Sequence, residues 1–285
     1  MRVLVTGAGG QLGRELVDAF LAAGHEAVAA DHRRLDVGDR HAVLQAVDAA
    51  SPQAVVNAAA WTAVDACEAD PDRAWRVNAL GVRHVAEGAR LVGAHLCHVS
   101  TDHVFDGTKA DPYVEWDRPN PQSAYGRSKL AGEQEAGPGA AVVRTSWLCG
   151  RHGPNMAKTV LRLAGEREQL SFVDDQRGCP TLAADLAAKV VELVVDRRPG
   201  TFHVTNQGAV SWYDFARAVL AAADLDPDRV QPISSAELAP PRPAPRPANS
   251  VLDNAALRLS GLELLPHYRA SLERLVTGLL AHPPR

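Results

Sequence analysis

The sequence predicts an α/β fold in which a doubly wound parallel sheet carries a smaller α/β part toward its carboxyl end. Three observations predict it. The first thirteen residues, MRVLVTGAGGQLG, read as a short apolar strand, a glycine turn and the start of a helix. Strand and helix patterns then alternate four times within about the first hundred residues, as expected of parallel strands joined by crossover helices. Small and polar residues, Ala58 to Ala60 and Ser100 to Asp102, stand where strands end, which is where ligands of such sheets bind.

Taken in order, Val3, Leu4 and Val5 form the first strand, which stops at Thr6-Gly7. Leu12, Leu16, Val17, Phe20 and Leu21 then repeat at helical spacing through Gln11 to Ala23. The first amides of that helix, near Gln11 and Leu12, lack intrahelical acceptors and suit a pyrophosphate. Gly7 serves the turn, Gly10 lets backbone approach a ligand, and Gly13 lets the helix pack on the strand, in a GxxGxxG spacing. This is the Rossmann-type arrangement. A second strand, Glu26 to Ala30, ends at Asp31, 18 positions past Gly13, where such folds meet the adenosine ribose. Asp31 suits the 2′-hydroxyl of NADH, whereas His32, Arg33 and Arg34 suit the 2′-phosphate of NADPH. The expectation is NADPH, with NADH accepted. Asp36 and Val37 precede a helix over 40–50 and are counted with the cofactor wall.

A third strand, Gln53 to Ala60, runs into Ala58, Ala59 and Ala60, small enough for a cofactor to lie close. A long helix over 71–92 carries Asn78, also counted with the cofactor set, and a strand over 94–99 leads to Thr101 and Asp102. After a loop over 107–122, a helix beginning near Ser123 carries Tyr125 and Lys129. A strand over 141–144 leads into Thr145-Ser146-Trp147. Beyond residue 150 the patterns predict helices over 155–166, 182–195, 211–223 and 267–280, with strands over 170–173 and 201–204. The segment PPRPAPRP, 240–247, breaks any regular element and reads as a rigid loop over the site. The expected division is a dinucleotide-binding domain over 1–150 plus about 183–225, with a substrate-binding part over about 151–182 and 226–285.

Composition excludes several function classes. The net charge of −4 comes without a basic run, so no nucleic acid or anionic membrane is expected as a partner. The four cysteines form no CxxC pair and no metal motif, and are expected reduced and buried. The chain enters its first strand without a leader pattern and contains no run long enough to span a membrane, so a cytoplasmic location is expected.

Tyr125 and Lys129 are four apart on one helix and therefore share a face. A phenol is a poor acid at neutral pH, and an ammonium one turn away, with a cationic nicotinamide, stabilises its phenolate. Thr101, arriving from a strand end, is placed to hydrogen-bond the same carbonyl oxygen.

The sequence resembles the extended short-chain dehydrogenase/reductase superfamily, and within it the dTDP-4-dehydrorhamnose reductase family. TGAGGQLGREL (6–16), STDHVFDG (100–107), YGRSKLAGE (125–133), RTSWLCG (144–150), DDQRGCPT (174–181) and RPANSVLD (246–253) match its blocks in order. The glycine spacing and the Tyr-x-x-x-Lys pair mark the superfamily; the other blocks are more specific. The resemblance implies NAD(P)H-dependent reduction of the C4 keto group of a dTDP-4-keto-6-deoxy sugar, with Tyr125 as proton donor, Lys129 lowering its pKa and holding the nicotinamide ribose, and Thr101 orienting the carbonyl. It further implies a substrate wall of Asp102, His103, Trp147, Asn155 and Thr181, with Arg246 and Arg177 as anion partners, and a monomer or homodimer. His103 and Trp61 replace residues usual in the family, which leaves open a 4-ketoreductase acting on another dTDP-deoxysugar. Some family members hold Mg2+ among glutamates at a dimer contact; Glu15 matches one such position, and Glu192 and Glu273 are weaker matches, so that no metal ligand set is expected. Epimerases and dehydratases share the glycine loop and the Tyr–Lys pair, but the dehydratases carry Asp-Glu after the threonine where this chain has Asp102-His103. A regulatory, non-catalytic relative also shares the fold; the intact trio argues for an enzyme.

Overall fold

The computed structural model describes residues 1–281. Elements follow in the order β1 (Arg2–Thr6), α1 (Gln11–Ala22), β2 (Glu26–Ala30), α2 (Arg40–Ala50), β3 (Ala54–Asn57), α3 (Val64–Ala69), α4 (Pro71–Trp75), a π-helical turn (Arg76–Leu80), α5 (Gly81–Leu91) and β4 (His95–Thr101). Next come α6 (Ala124–Ala136), β5 (Ala141–Thr145), β6 (Leu148–Cys149), α7 (Met156–Glu166), β7 (Leu170–Val173), β8 (Arg177–Gly178) and β9 (Thr181–Leu182). The chain closes with α8 (Ala183–Val195), β10 (Gly200–His203), β11 (Val210–Ser211), α9 (Trp212–Ala222), β12 (Val230–Ile233), α10 (Ala255–Leu259) and α11 (Tyr268–Ala281).

Six strands form one sheet in the order β10-β5-β4-β3-β1-β2, every neighbouring pair parallel. The chain leaves β1 toward β2 on one side and returns to β3 on the other, so the order reverses at β1. The carboxyl ends of β1 and β3 therefore open a crevice at this switch point, as doubly wound sheets do. Side chains alternate across the sheet with period two. Val3, Val5, Val56, Cys97 and Val143 face one layer, built by α1 and α8. Leu4, Val55, Leu96 and Val142 face the other, built by α2 and α5. A strand buried on both faces reads as a continuous apolar run, which is why β1, β3 and β5 stand out in the sequence.

A second core lies beyond the sheet, between α7, β7, α9, β12 and α11, with Phe172, Phe215, Val219, Tyr268 and Leu272 at its centre. Here the structure departs from the expected division. Helix α9 packs Phe215, Ala216, Val219 and Leu220 into this second core rather than against the sheet, while Leu257 and Leu265 join the first. The helix expected over 71–92 is α4, the π-helical turn and α5 in succession. Among the described residues no helix is long and apolar enough to cross a membrane, and all four cysteines are free and buried.

Candidate active site

The site begins at the turn between β1 and α1. Gly7 sits at φ +68°, and a Cβ there would lie 2.6 Å from the Ala59 amide nitrogen, so only glycine fits. Helix α1 has no side-chain N-cap and no acidic residue in its first turn. Its leading amides thus remain available to an anion.

A cleft of ≈ 950 Å³ opens from this turn and runs between the two cores. Gly10, Gln11, Leu12, Gly13, Ala58 and Ala60 line it from the ends of β1 and β3. Thr101, Asp102, His103, Tyr125 and Lys129 line it as well, and so do Trp147 and Arg246. Three separate elements thus bring Thr101 from β4, Tyr125 and Lys129 from α6, and the glycine turn to one place. Ser123 sets the start of α6 by accepting a hydrogen bond from the Gly126 amide at 3.0 Å, which fixes where Tyr125 and Lys129 emerge.

Burial pushes the Tyr125 phenol well above its ordinary pKa, while the Thr101 hydroxyl works in the opposite direction. The lowering by Lys129 expected from the sequence does not prevail here: desolvation outweighs every opposing contact, and the phenol stays protonated at neutral pH. The imidazole of His103 meets the Tyr125 ring edge-on at 5.5 Å and is held below its usual pKa, by burial above all and by the charge of Arg246, against the pull of Asp102. Thr101 donates to Asp102 Oδ1 at 2.9 Å and accepts from the His103 amide at 3.2 Å. The other Asp102 oxygen is buried without a hydrogen-bond partner among the described residues. Lys129 is 2 % exposed, and burial lowers its amine to about 8 against the pull of Glu133.

Trp147 has φ +46°, a conformation that costs a non-glycine residue roughly 1–3 kcal/mol and concentrates at functional sites. Its indole stacks on Trp212 at 3.4 Å and 4°. Gly178 lies against the indole so closely that any Cβ would displace the ring.

Several residues expected at the site have other surroundings. Asn155 caps α7 and donates to Gln11 Oε1 at 2.7 Å and Gly150 O at 2.8 Å, fastening the second core to α1. Thr181 is fully buried and bonds the Cys179 carbonyl, while its amide supports the Trp147 carbonyl at 3.2 Å. The backbone of Arg177 pairs with Ala248 and Ser250, and its side chain is exposed outside the cleft wall. Asn78 clasps the Trp61 backbone through both its amide and its carbonyl, at 2.8 and 3.1 Å, and so shapes the loop after β3 rather than lining the cleft. Asp31 accepts from the amides of Arg33 and Arg34 at 3.1 Å and lies against Gly9; His32 lines the cleft, while Arg33 is exposed outside its wall. Asp36 pairs with Arg76 at 2.9 Å, Val37 is buried beneath it, and Ala59 packs against Gly7.

Two residues at the site are not singled out in the sequence. Trp212 and Arg242 line the cleft; the first follows a Ser/Asp capping box that opens α9, and the second is visible within PPRPAPRP. That segment does sit over the site, because Asp65 of α3 pairs with both Arg242 (3.4 Å) and Arg246 (3.0 Å). The glutamates considered for magnesium do not fit one. Glu15 holds Arg151 through both oxygens at 3.1 Å, Glu192 pairs with Lys189, and Glu273 is exposed on α11. Among the described residues no group of three or more candidate ligands gathers.

Comparison with known proteins agrees with this geometry. A family model described as RmlD substrate binding domain matches residues 1–280. The chain is 43% identical over 293 residues to the dTDP-4-dehydrorhamnose reductase of Streptomyces griseus, covering 100% of this chain and 96% of that one. It is 42% identical to the dTDP-4-keto-6-deoxy-D-glucose reductase of Streptomyces niveus, covering 95% of each. A dTDP-4-dehydrorhamnose reductase of Bacillus anthracis, solved in complex with NADP, superposes with a TM-score of 0.93 at 38% identity, over 97% of this chain and 99% of that one.

Proposed function

The chain belongs to the RmlD substrate binding domain family, and on that premise we propose that it is an NAD(P)H-dependent oxidoreductase. It reduces the C4 keto group of a dTDP-4-keto-6-deoxy sugar, foremost dTDP-4-dehydro-L-rhamnose to dTDP-L-rhamnose. The observation that carries this reading is the meeting of Thr101, Tyr125 and Lys129 in one cleft with the uncapped amino end of α1.

The cofactor is NADPH, with NADH accepted, and its fit rests on two features. The free amides of α1 suit the pyrophosphate, and the small side chains of Ala58 and Ala60 leave room beside them. Asp31, His32 and Arg33 stand nearest the adenosine ribose. When bound, the reduced nicotinamide supplies hydride to the sugar carbonyl. The chain's own residues supply the rest. Tyr125, kept protonated by burial, gives its proton to the C4 oxygen. Lys129 carries positive charge to the phenolate left behind and holds the nicotinamide ribose. Thr101 orients the carbonyl, and Asp102, a lining residue of the cleft, belongs to the sugar wall. His103 and Trp147 bound the sugar, and Arg246 with Arg242 faces the diphosphate. Asn155 and Thr181 act on this wall through Gln11 and Trp147, and Arg177 through its backbone hold on the segment bearing Arg246. The sheet and α8 form the dinucleotide half, and the second core forms the sugar-nucleotide half. The enzyme works in the cytoplasm as a monomer or homodimer.

NADPH oxidation tests the substrate. With dTDP-4-keto-6-deoxyglucose and the 3,5-epimerase that converts it to dTDP-4-dehydro-L-rhamnose, consumption is expected only when both are present. Consumption without the epimerase assigns the sugar of the Streptomyces niveus relative instead. No consumption in either mixture contradicts the reading.

A further inference from the structure

His98 is a fully buried titratable side chain that the reaction above does not use. It sits within β4, and a chain of buried polar groups leads to it from β1. The Thr6 hydroxyl donates to Asn57 Oδ1 at 2.6 Å, and the Ala59 amide donates to the same oxygen at 3.3 Å. Two donors on one oxygen assign the orientation of the Asn57 amide. Its Nδ2 group therefore faces His98 Nδ1, 3.2 Å away, as donor. His98 Nδ1 accepts, and the ring proton rests on Nε2. That Nε2 faces Lys129 Nζ at 3.5 Å, while Nζ itself donates to the Val99 carbonyl at 2.6 Å.

We propose that His98 is a positioning residue for Lys129. Asn57 holds the ring in the tautomer whose Nε2–H confronts the amine, which disfavours the ammonium and, with the Val99 carbonyl, fixes where the amine sits. The task of Lys129 is taken from the reductase reading; the contact itself is independent of it. Charges around the amine are few. Burial disfavours the ammonium, and Glu133, one turn along α6, favours it, although Glu133 is itself bound by Arg144 of β5. From β4 comes His98, held neutral by burial and by the charge of Lys129 against the pull of the Asn57 backbone. The π-helical turn contributes uncharged Asn78, and Tyr125 of α6 is protonated. A dipole on His98 thus acts where no fixed charge other than Glu133 stands close.

The amine can be read directly, because the chain has four lysines. Lysine labelled with 15N and 13C at the ε position gives an NMR titration of the full chain, with the Lys129 signal assigned by its loss in Lys129→Met. The wild-type midpoint is expected near the value of about 8 set by burial. His98→Asn keeps an acceptor for Asn57 but falls short of Nζ. Asn57→Ser frees Nδ1 to carry the proton, so that Nε2 accepts from the ammonium. Both changes are expected to raise the midpoint by about one unit, about tenfold in proton affinity. His98→Gln, whose amide N–H reaches toward Nζ, is expected to stay near the wild type. A midpoint unmoved or lowered in the folded Asn or Ser variant overturns the proposal, as does a Gln variant that shifts like the Asn variant. Asn57→Ser keeps the test open if His98→Asn does not fold. The titration reads the amine and not turnover, so its outcome stands apart from whether the chain reduces a keto sugar.

Discussion

Tyr125→Phe is expected to lower kcat by about 10²–10⁴-fold while leaving NADPH affinity nearly unchanged. The ring stays in place, because its neighbours are apolar or edge-on: Cys67, Ala74 and Ala124 pack with it, and His103 meets it in a T-shaped contact. Only the proton is lost. Thr101 cannot replace it, since an aliphatic hydroxyl is a far weaker acid than a phenol, and His103 is held neutral by burial. Single-turnover kinetics separates this loss from a binding defect. A variant with near-normal turnover would remove Tyr125 from its role.

Glu133→Ala is expected to destabilise the fold by about 3–5 kcal/mol, the usual cost of stranding one partner of a buried ion pair. Glu133 Oε1 accepts from the Ser100 hydroxyl at 2.5 Å and from Arg144 Nε at 2.9 Å, and Oε2 accepts from Arg144 at 2.7 Å. The two side chains are 8% and 6% exposed. Without the carboxylate, the guanidinium lies buried over Phe105 at 5.2 Å with no anion to meet it. Urea unfolding gives the change, and Glu133→Gln, which still accepts a hydrogen bond, is expected to recover part of it. A loss below about 1 kcal/mol would show that the pair is solvated and dispensable.

The elements that organise the site were legible because each leaves a local pattern. A two-sided buried strand is an apolar run, an uncapped helix after glycines is a turn with a periodic face, and Tyr125 with Lys129 shares a helical face. What escaped has no local pattern. Strands β6, β8, β9 and β11 are two residues each, and they exist because distant backbone pairs with them. Helix α9 is amphipathic whichever core it faces, so its sequence cannot say that it packs with α7 and α11. The π-helical turn arises where Asn78 must reach the Trp61 backbone, a constraint set by tertiary contact. His98 and Asn57 did leave a signal, polar residues inside otherwise apolar strands, and only the fold shows that they face one another. The same holds for Asn155, Thr181 and Arg177, which lie near the cleft in the chain's folding but reach it through other residues.

Hydride is expected to reach C4 of a dTDP-linked keto sugar in this cleft, and a proton its oxygen. NADPH carrying deuterium at the transferable position of nicotinamide C4, incubated with the enzyme and dTDP-4-dehydro-L-rhamnose, tests it by NMR of the product. The expected result is dTDP-L-rhamnose with deuterium at sugar C4. Deuterium retained in the cofactor, or a sugar nucleotide altered without it, would contradict the account.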